Sequence, residues 1–267
     1  MGAKISSPAL ILWLAPFAMA AAVTASILYG AKNIDALTVW HAIFHFDPDN
    51  VNHQIVMHSR LPRAAGALLI GAFLAISGAI MQGMTRNYLA SPSIMGVSDG
   101  SVFAITLCMI VQPEASSLAM ILYSLIGSLF AVGIVFGLAS LLPNGMSPVR
   151  MAIIGTIIGT FLSSVSAAMA SYFQVSQNVS FWYNARLHQM DPGLIKLAVP
   201  FALVGIALAL MISSSITILS LGEEVSVGLG QRTKLVKAMA VASVVLLTGI
   251  SVALAGNIGF VGLIIPH

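Results

Sequence analysis

Ala64-Ala65-Gly66-Ala67-Leu68-Leu69-Ile70-Gly71-Ala72-Phe73-Leu74-Ala75-Ile76-Ser77-Gly78-Ala79-Ile80-Met81-Gln82 holds no charged side chain. As a helix rising about 1.5 Å per residue it reaches close to the roughly 30 Å of a bilayer's hydrocarbon. Hydrocarbon offers no partner to a free N–H or C=O, so a run of this kind crosses as a helix. Outward from it in both directions lie further apolar runs: Ala9–Gly30, Ile94–Val111, Leu118–Leu142, Val149–Phe173, Leu197–Leu219 and Leu235–Gly256. Another begins near Phe260. The expected fold class is an all-α polytopic membrane protein, with about seven complete transmembrane helices and the start of an eighth in one transmembrane domain over residues 1–267.

Composition agrees. Of 267 residues 58% are hydrophobic and 7% charged, where a soluble domain carries about 25% charged residues. A net charge of +3 with no basic run points to no nucleic acid. Cys108 is the single cysteine, which leaves no disulfide within the chain and no paired-thiol metal site. The N-terminal run is longer than the 7–15 residues of a signal-peptide core, so it reads as an uncleaved first span. Met1-Gly2-Ala3-Lys4-Ile5-Ser6 matches the myristoylation pattern, which is short enough to recur by chance.

The polar breaks differ in kind. Ala31–Ser59 holds His41, His45, His53 and His58 together with Trp40, Asp47 and Asp49. Trp40 and its aromatic neighbours suit a short helix at the membrane interface. Histidine spacings of this kind, without cysteine and with scattered carboxylates, read as a solvated loop rather than a metal site. With Lys4 inside, the alternation of spans places Arg86, Arg150, Arg232, Lys234 and Lys237 inside, and Lys32, Arg60, Arg63, Arg186 and Lys196 outside. The cluster Arg232, Lys234, Lys237 on a short loop supports that orientation. Gly71–Ile80 lines up with Gly249–Ile258, in spans that run in opposite directions by this count. That is the pattern of an inverted repeat, and chance Gly/Ala matching is its rival.

Three breaks carry mechanism. Ser59-Arg60-Leu61-Pro62-Arg63 sets two guanidinium groups at the outer mouth of the second span, with Pro62 where a first helical turn tolerates it. Forked guanidinium groups receive carboxylates, so Arg60 and Arg63 either dock an acidic partner or snorkel to the interface. Residues 220–232, from Ser220 to Arg232, form an inner break that can fold as one short helix ended by Gly230, with Glu223 and Glu224 where another protein can grip. In Arg86-Asn87-Tyr88-Leu89-Ala90-Ser91-Pro92-Ser93-Ile94-Met95-Gly96-Val97-Ser98-Asp99-Gly100, Pro92 blocks a helix and Gly96 and Gly100 loosen its restart. Asp99 near a span end is expected to cap or pair there. Gly155 and Gly159 read as ordinary close helix packing.

Absences matter as well. The sequence has no phosphate-cradling Gly-Lys-Ser/Thr loop, no His-Glu-x-x-His and no Gly-x-Ser-x-Gly. It also lacks an intramembrane run of Asp, Glu and His such as ion-coupled pumps use. The expected protein is not an enzyme, holds no cofactor or metal, and takes its energy from elsewhere.

At these same residues the chain resembles the iron–siderophore and cobalamin (FecCD-type) class of ABC importer permeases, with the type II permease fold of ten spans. The likeness runs through Arg60-Leu61-Pro62-Arg63 and Gly71 to Gln82, Arg86 to Pro92 with Gly96 to Gly100, Leu221-Gly222-Glu223-Glu224 with Leu229-Gly230, and Ala253 to Gly256 with Gly259 to His267. Ser180-Phe181-Trp182-Tyr183 and Arg186 to Met190 extend it to the bacillibactin-uptake branch of Gram-positive bacteria.

The resemblance implies a permease subunit in a bacterial cell membrane that translocates an iron–siderophore complex, of catecholate type. Its partners would be an ATPase dimer in the cytoplasm, an extracytoplasmic substrate-binding lipoprotein and a second permease, identical or paralogous. It makes Arg60 and Arg63 docking residues and Leu221, Gly222, Glu223, Glu224, Leu229 and Gly230 the ATPase coupling segment. It points to Ile157–Phe173 and Phe181–Leu187 as the gate between paired permeases. It further implies that family members continue past Pro266-His267 with about three more spans, so this chain is expected to be short of the full fold. The alternative is an ion-coupled secondary transporter for a small organic solute, for which Asp99 is the one intramembrane carboxylate available.

Overall fold

The computed structural model describes residues 7–142, 148–185, 187 and 190–266; residues 1–6, 143–147, 186, 188, 189 and 267 lie outside the described residues. Every regular element among the described residues is helical. Contacts divide the chain into two units between Ala67 and Leu68.

The first unit holds α1 (Ser7–Leu28), α2 (Ala36–Phe44), α3 (Val51–Ile55) and the start of α4 (Leu61–Thr85). Asp35 starts α2 by accepting from the Thr38 N–H at 2.9 Å and from its hydroxyl at 2.7 Å, satisfying a donor the helix leaves open. Trp40 lies on this short helix, as the aromatic content of the break predicts. Asn50 caps α3 in the same way. The break is less of a loop than its polarity suggests. His53 is buried, and its Nδ1 accepts from the Asp47 N–H at 3.1 Å.

The second span is longer than expected. α3, a π-helical turn at Val56–Arg60 and α4 run on as one helical rod, Val51–Thr85, of 35 residues. Pro62 therefore sits inside a continuous helix and not in its first turn. A proline ring clashes with the carbonyl four residues back and removes one ladder bond; the widened turn directly before it takes up both.

The second unit holds the rest of α4, a 3-10 turn (Pro92–Met95), α5 (Val97–Val111), α6 (Ser117–Leu141), α7 (Pro148–Tyr172), α8 (Ser176–Ala185), α9 (Pro192–Ser220), α10 (Glu223–Gly228), α11 (Thr233–Ala255) and α12 (Val261–Ile264). Among the described residues five helices are long and apolar enough to cross a membrane, and Trp13–Leu28 and Val97–Val111 are shorter apolar helices. α5 is short because Gly96 adopts a left-handed φ of 69° after the 3-10 turn and the helix restarts only at Val97.

α11 is the central helix. Its most apolar window is 72% buried, against 28% for α7 and α9, and it packs on α9, α6 and α5. Buried serines tie the centre together. The Ser101 hydroxyl lies 2.6 Å from that of Ser128, which donates to the Val97 carbonyl at 3.1 Å, and Ser124 donates to the Gly249 carbonyl of α11 at 2.6 Å. Interhelical bonds of this kind contribute about 0.6 kcal/mol each in a membrane interior, so they fix register more than they add stability. α11 ends with Gly256 at φ 77°. The last residues of the second repeat copy thus leave the helix, while their counterparts Gly78, Ala79 and Ile80 lie within α4.

Candidate functional site

In the first unit, the two arginines of the 60–63 stretch have different surroundings. Arg60 is 7% exposed. Its guanidinium donates to the carbonyls of Ile27 and Leu28, in the last turn of α1 where the helix leaves acceptors unmet, and to that of Lys32 beyond it. Arg63, three residues on, is half-buried, and its Nη2 donates to Ser26 Oγ at 3.4 Å. The guanidinium of Arg60 is committed to the backbone, and that of Arg63 keeps donors free.

In the second unit, the segment between α9 and α11 folds as the six-residue α10, with Gly222 at φ 133° before it and Gly230 at φ 78° after it. Ser226 anchors it by donating to the Gly222 carbonyl at 2.8 Å and lying 3.2 Å from that of Ile218. Gln231 donates to the Ser215 carbonyl at 3.0 Å. The two glutamates part company. Glu223 pairs with Lys237 of α11 at 2.7 Å, whereas Glu224 is exposed. Leu221 and Leu229, each 66% exposed, flank them with Val225 and Val227. The outcome is an apolar knob beside one free carboxylate.

The irregular stretch 86–96 has its seat on α7. A Cβ on Gly155 would overlap the Ile94 carbonyl, and one on Gly159 would stand 2.5 Å from Asp99 Oδ2. The two glycines thus do more than let helices pack: they make room for non-helical backbone that must be buried in protein at membrane depth. Asp99 occupies the first turn of α5, which has no side-chain cap. It lines a pocket of about 400 Å³ with Ser93, Thr156, Thr160 and Ser163. The hydroxyl stripe Thr156, Thr160, Ser163 follows helical spacing on α7 and was open to recognition from sequence by that period. Ile157 and Phe161 are exposed on the same helix.

At the opposite ends of these helices a cavity of about 630 Å³ is lined by Met109, Met120, Phe173, Phe181, Trp182 and Asp191. α8 contributes Phe181 and Trp182 to it, so the region after α7 has the aromatic wall of a small-molecule pocket. Among the described residues no group of three or more His, Cys, Asp or Glu is placed to hold a metal.

Residues 18–267 match the model of the FecCD transport family. The chain belongs to that family. Iron-uptake system permease protein FeuB of Bacillus subtilis (strain 168) is 59% identical over 258 residues, which span 97% of this FecCD chain and 77% of FeuB. Iron(3+)-hydroxamate import system permease protein FhuB of the same organism is 45% identical over 242 residues, 91% of this chain and 63% of FhuB. A solved structure assigned to the metal-chelate type of ABC transporter, in an inward-facing conformation, matches with a TM-score of 0.77 at 26% identity, over 96% of this chain and 79% of that one. The FecCD chain is accordingly an integral membrane permease with relatives in bacteria, and its long helices are membrane spans. Its type II permease fold is that of the ABC importers.

Proposed function

We propose that this FecCD permease carries an iron–siderophore complex, of catecholate type, inward across the cell membrane of a bacterium, and that a separate ATPase dimer drives it through α10. The observation that carries the reading is α10 itself: a short helix held between two spans, with Leu221, Leu229 and Glu224 turned outward. A plain connector has no need of an exposed apolar knob, and exposed apolar patches with a polar rim mark contact with another protein. The iron-uptake and iron-hydroxamate names of its relatives support the cargo; the catecholate assignment leans on the resemblance carried by Ser180 to Tyr183 and Arg186 to Met190.

A substrate-binding lipoprotein would meet the permease at Arg63, with Arg60 holding the surface in shape from beneath. A second permease, a copy or a paralogue, would cover the sparsely buried faces of α7 and α9. Leu221, Gly222, Glu224, Leu229 and Gly230 would form the contact with the ATPase. The test is co-purification from detergent-solubilised membranes. The parent should bring down an ATP-binding-cassette protein, and a Leu229→Asp, Glu224→Lys variant should lose it. Equal recovery with both would remove α10 from the mechanism, and recovery with neither would overturn the importer reading.

One observation favours the ion-coupled alternative, namely Asp99 among hydroxyls at the α5–α7 seam. The two readings part on energy source. Uptake of iron-55 as a tris-catecholate complex should stop when ATP is depleted and persist with a protonophore when ATP is held constant.

A further inference from the structure

We infer that Lys237 is a positioning residue which, through its ion pair with Glu223, fastens the coupling segment to the central helix α11. The inference rests on the importer reading above. α10 has a glycine with positive φ at each end, and a helix of six residues does not hold itself in water. Its position therefore depends on what grips it. On the α9 side the grip is made of hydrogen bonds: Ser226 to the Ile218 carbonyl at 3.2 Å, and Gln231 to that of Ser215 at 3.0 Å. On the α11 side the ion pair among the described residues is that of Lys237 Nζ with Glu223 Oε1 at 2.7 Å.

The two spans differ in what they can transmit. α9 is 28% buried in its apolar window and α11 is 72% buried, so a displacement of α10 that reaches α11 reaches the centre of the unit. A third group closes in from the end of α4. Arg86 holds a left-handed φ of 52°, and its Nη1 lies 3.5 Å from where a Cβ on Gly222 would stand. Arg86, Glu223 and Lys237 share the lining of one pocket with Met84, Met95 and Leu219. The ends of α4, α9 and α11 thus converge on the first residue of α10.

A pair whose carboxylate side chain is 55% exposed adds little to stability, because water and salt screen it. Its effect belongs in coupling: it commits Glu223 to the permease and leaves Glu224 as the acidic group facing the partner. Glu223 then supports the contact surface without being part of it.

The experiment compares the parent permease, assembled with its ATPase in liposomes, with Lys237→Met, Glu223→Gln, Lys237→Arg and the exchanged pair Glu223→Lys with Lys237→Glu. All five should bring down the ATPase equally. Lys237→Met and Glu223→Gln should lower ATP-driven entry of iron-55 tris-catecholate by fivefold or more, with ATP hydrolysis kept. Lys237→Arg and the exchanged pair should recover entry. Loss of the ATPase from Glu223→Gln would make Glu223 a contact residue, and unchanged entry in Lys237→Met and Glu223→Gln would mean the pair transmits nothing; each overturns the inference while the importer reading stands. Absence of the ATPase from the parent would overturn both.

Discussion

Three backbone carbonyls, those of Ile27, Leu28 and Lys32, converge on one guanidinium, and that fact sets what each arginine of the outer mouth can do. Replacing Arg60 by alanine strips a donor from all three, and the Ile27 carbonyl, on a buried residue, loses most, at about 1–3 kcal/mol where water fails to reach it, whereas Leu28 keeps the Ile34 N–H and Lys32 is exposed. We expect Arg60→Ala to lower the melting temperature of the detergent-solubilised protein clearly and Arg60→Lys to recover part of the loss. Arg63→Ala should stay within about 0.5 kcal/mol of the parent and instead weaken capture of the binding lipoprotein, most visibly at low salt. If Arg60→Ala is as stable as Arg63→Ala, the clamp is not what holds the end of α1. At Asp35 the hydrogen bond from the Thr38 hydroxyl, followed by that from its N–H, holds the carboxyl below the ordinary carboxylate range. A carboxyl whose value is lowered by folding favours the folded state above its unfolded value, near 4, and loses that contribution as pH falls through the folded one. Protection of the first α2 amides in hydrogen exchange, corrected for the intrinsic exchange rate, should therefore drop as pH falls below about 4, and Asp35→Ala should abolish the dependence.

Among the elements, the irregular stretch 86–96 and α7 depend on each other most closely, and glycine tests it directly. A Cβ at Gly155 meets the Ile94 carbonyl, which is backbone and cannot rotate aside, while a Cβ at Gly71 meets nothing within 4 Å. Gly155→Ala should cost about 1–3 kcal/mol by overpacking and cut iron uptake; Gly71→Ala, within α4, should gain up to about 1 kcal/mol from helix propensity. Thermal stability in detergent separates them, and equal values would mean that the stretch is not seated on α7. The same pair illustrates how far the sequence carries. Length and hydropathy made the spans legible, and Gly222 and Gly230 marked the limits of α10, because each signal is local. The continuation of the second span back to Val51 was hidden by polar residues that a helix accepts. Neither the Arg60 clamp nor the Lys237 tie has a local signal, since their partners lie up to 33 and 14 residues away and only the fold brings them together.

For the whole molecule, orientation in the membrane decides whether the proposed mechanism is possible. Within the second unit the ends sort as the span count requires. Arg86, Glu223 and Lys237 meet at one end, whereas Met109, Met120, Phe173 and Asp191 meet at another cavity formed by the opposite ends of their helices. Arg232, Lys234 and Lys237 then lie on the side of α10, which the positive-inside rule assigns to the cytoplasm. The buried Arg60, occupied by carbonyls, supplies a structural reason for a positive charge in a stretch that the span count assigns to the outside. Because Cys108 is the sole cysteine and is buried, Cys108→Ser gives a background for single reporters at exposed positions. Asp49→Cys should react with a membrane-impermeant maleimide on intact cells, and Glu224→Cys only once the membrane is opened. The reverse pattern would put α10 outside, beyond the reach of any ATP-hydrolysing partner in the cytoplasm, and no contact at Leu221, Glu224 or Leu229 could then drive transport.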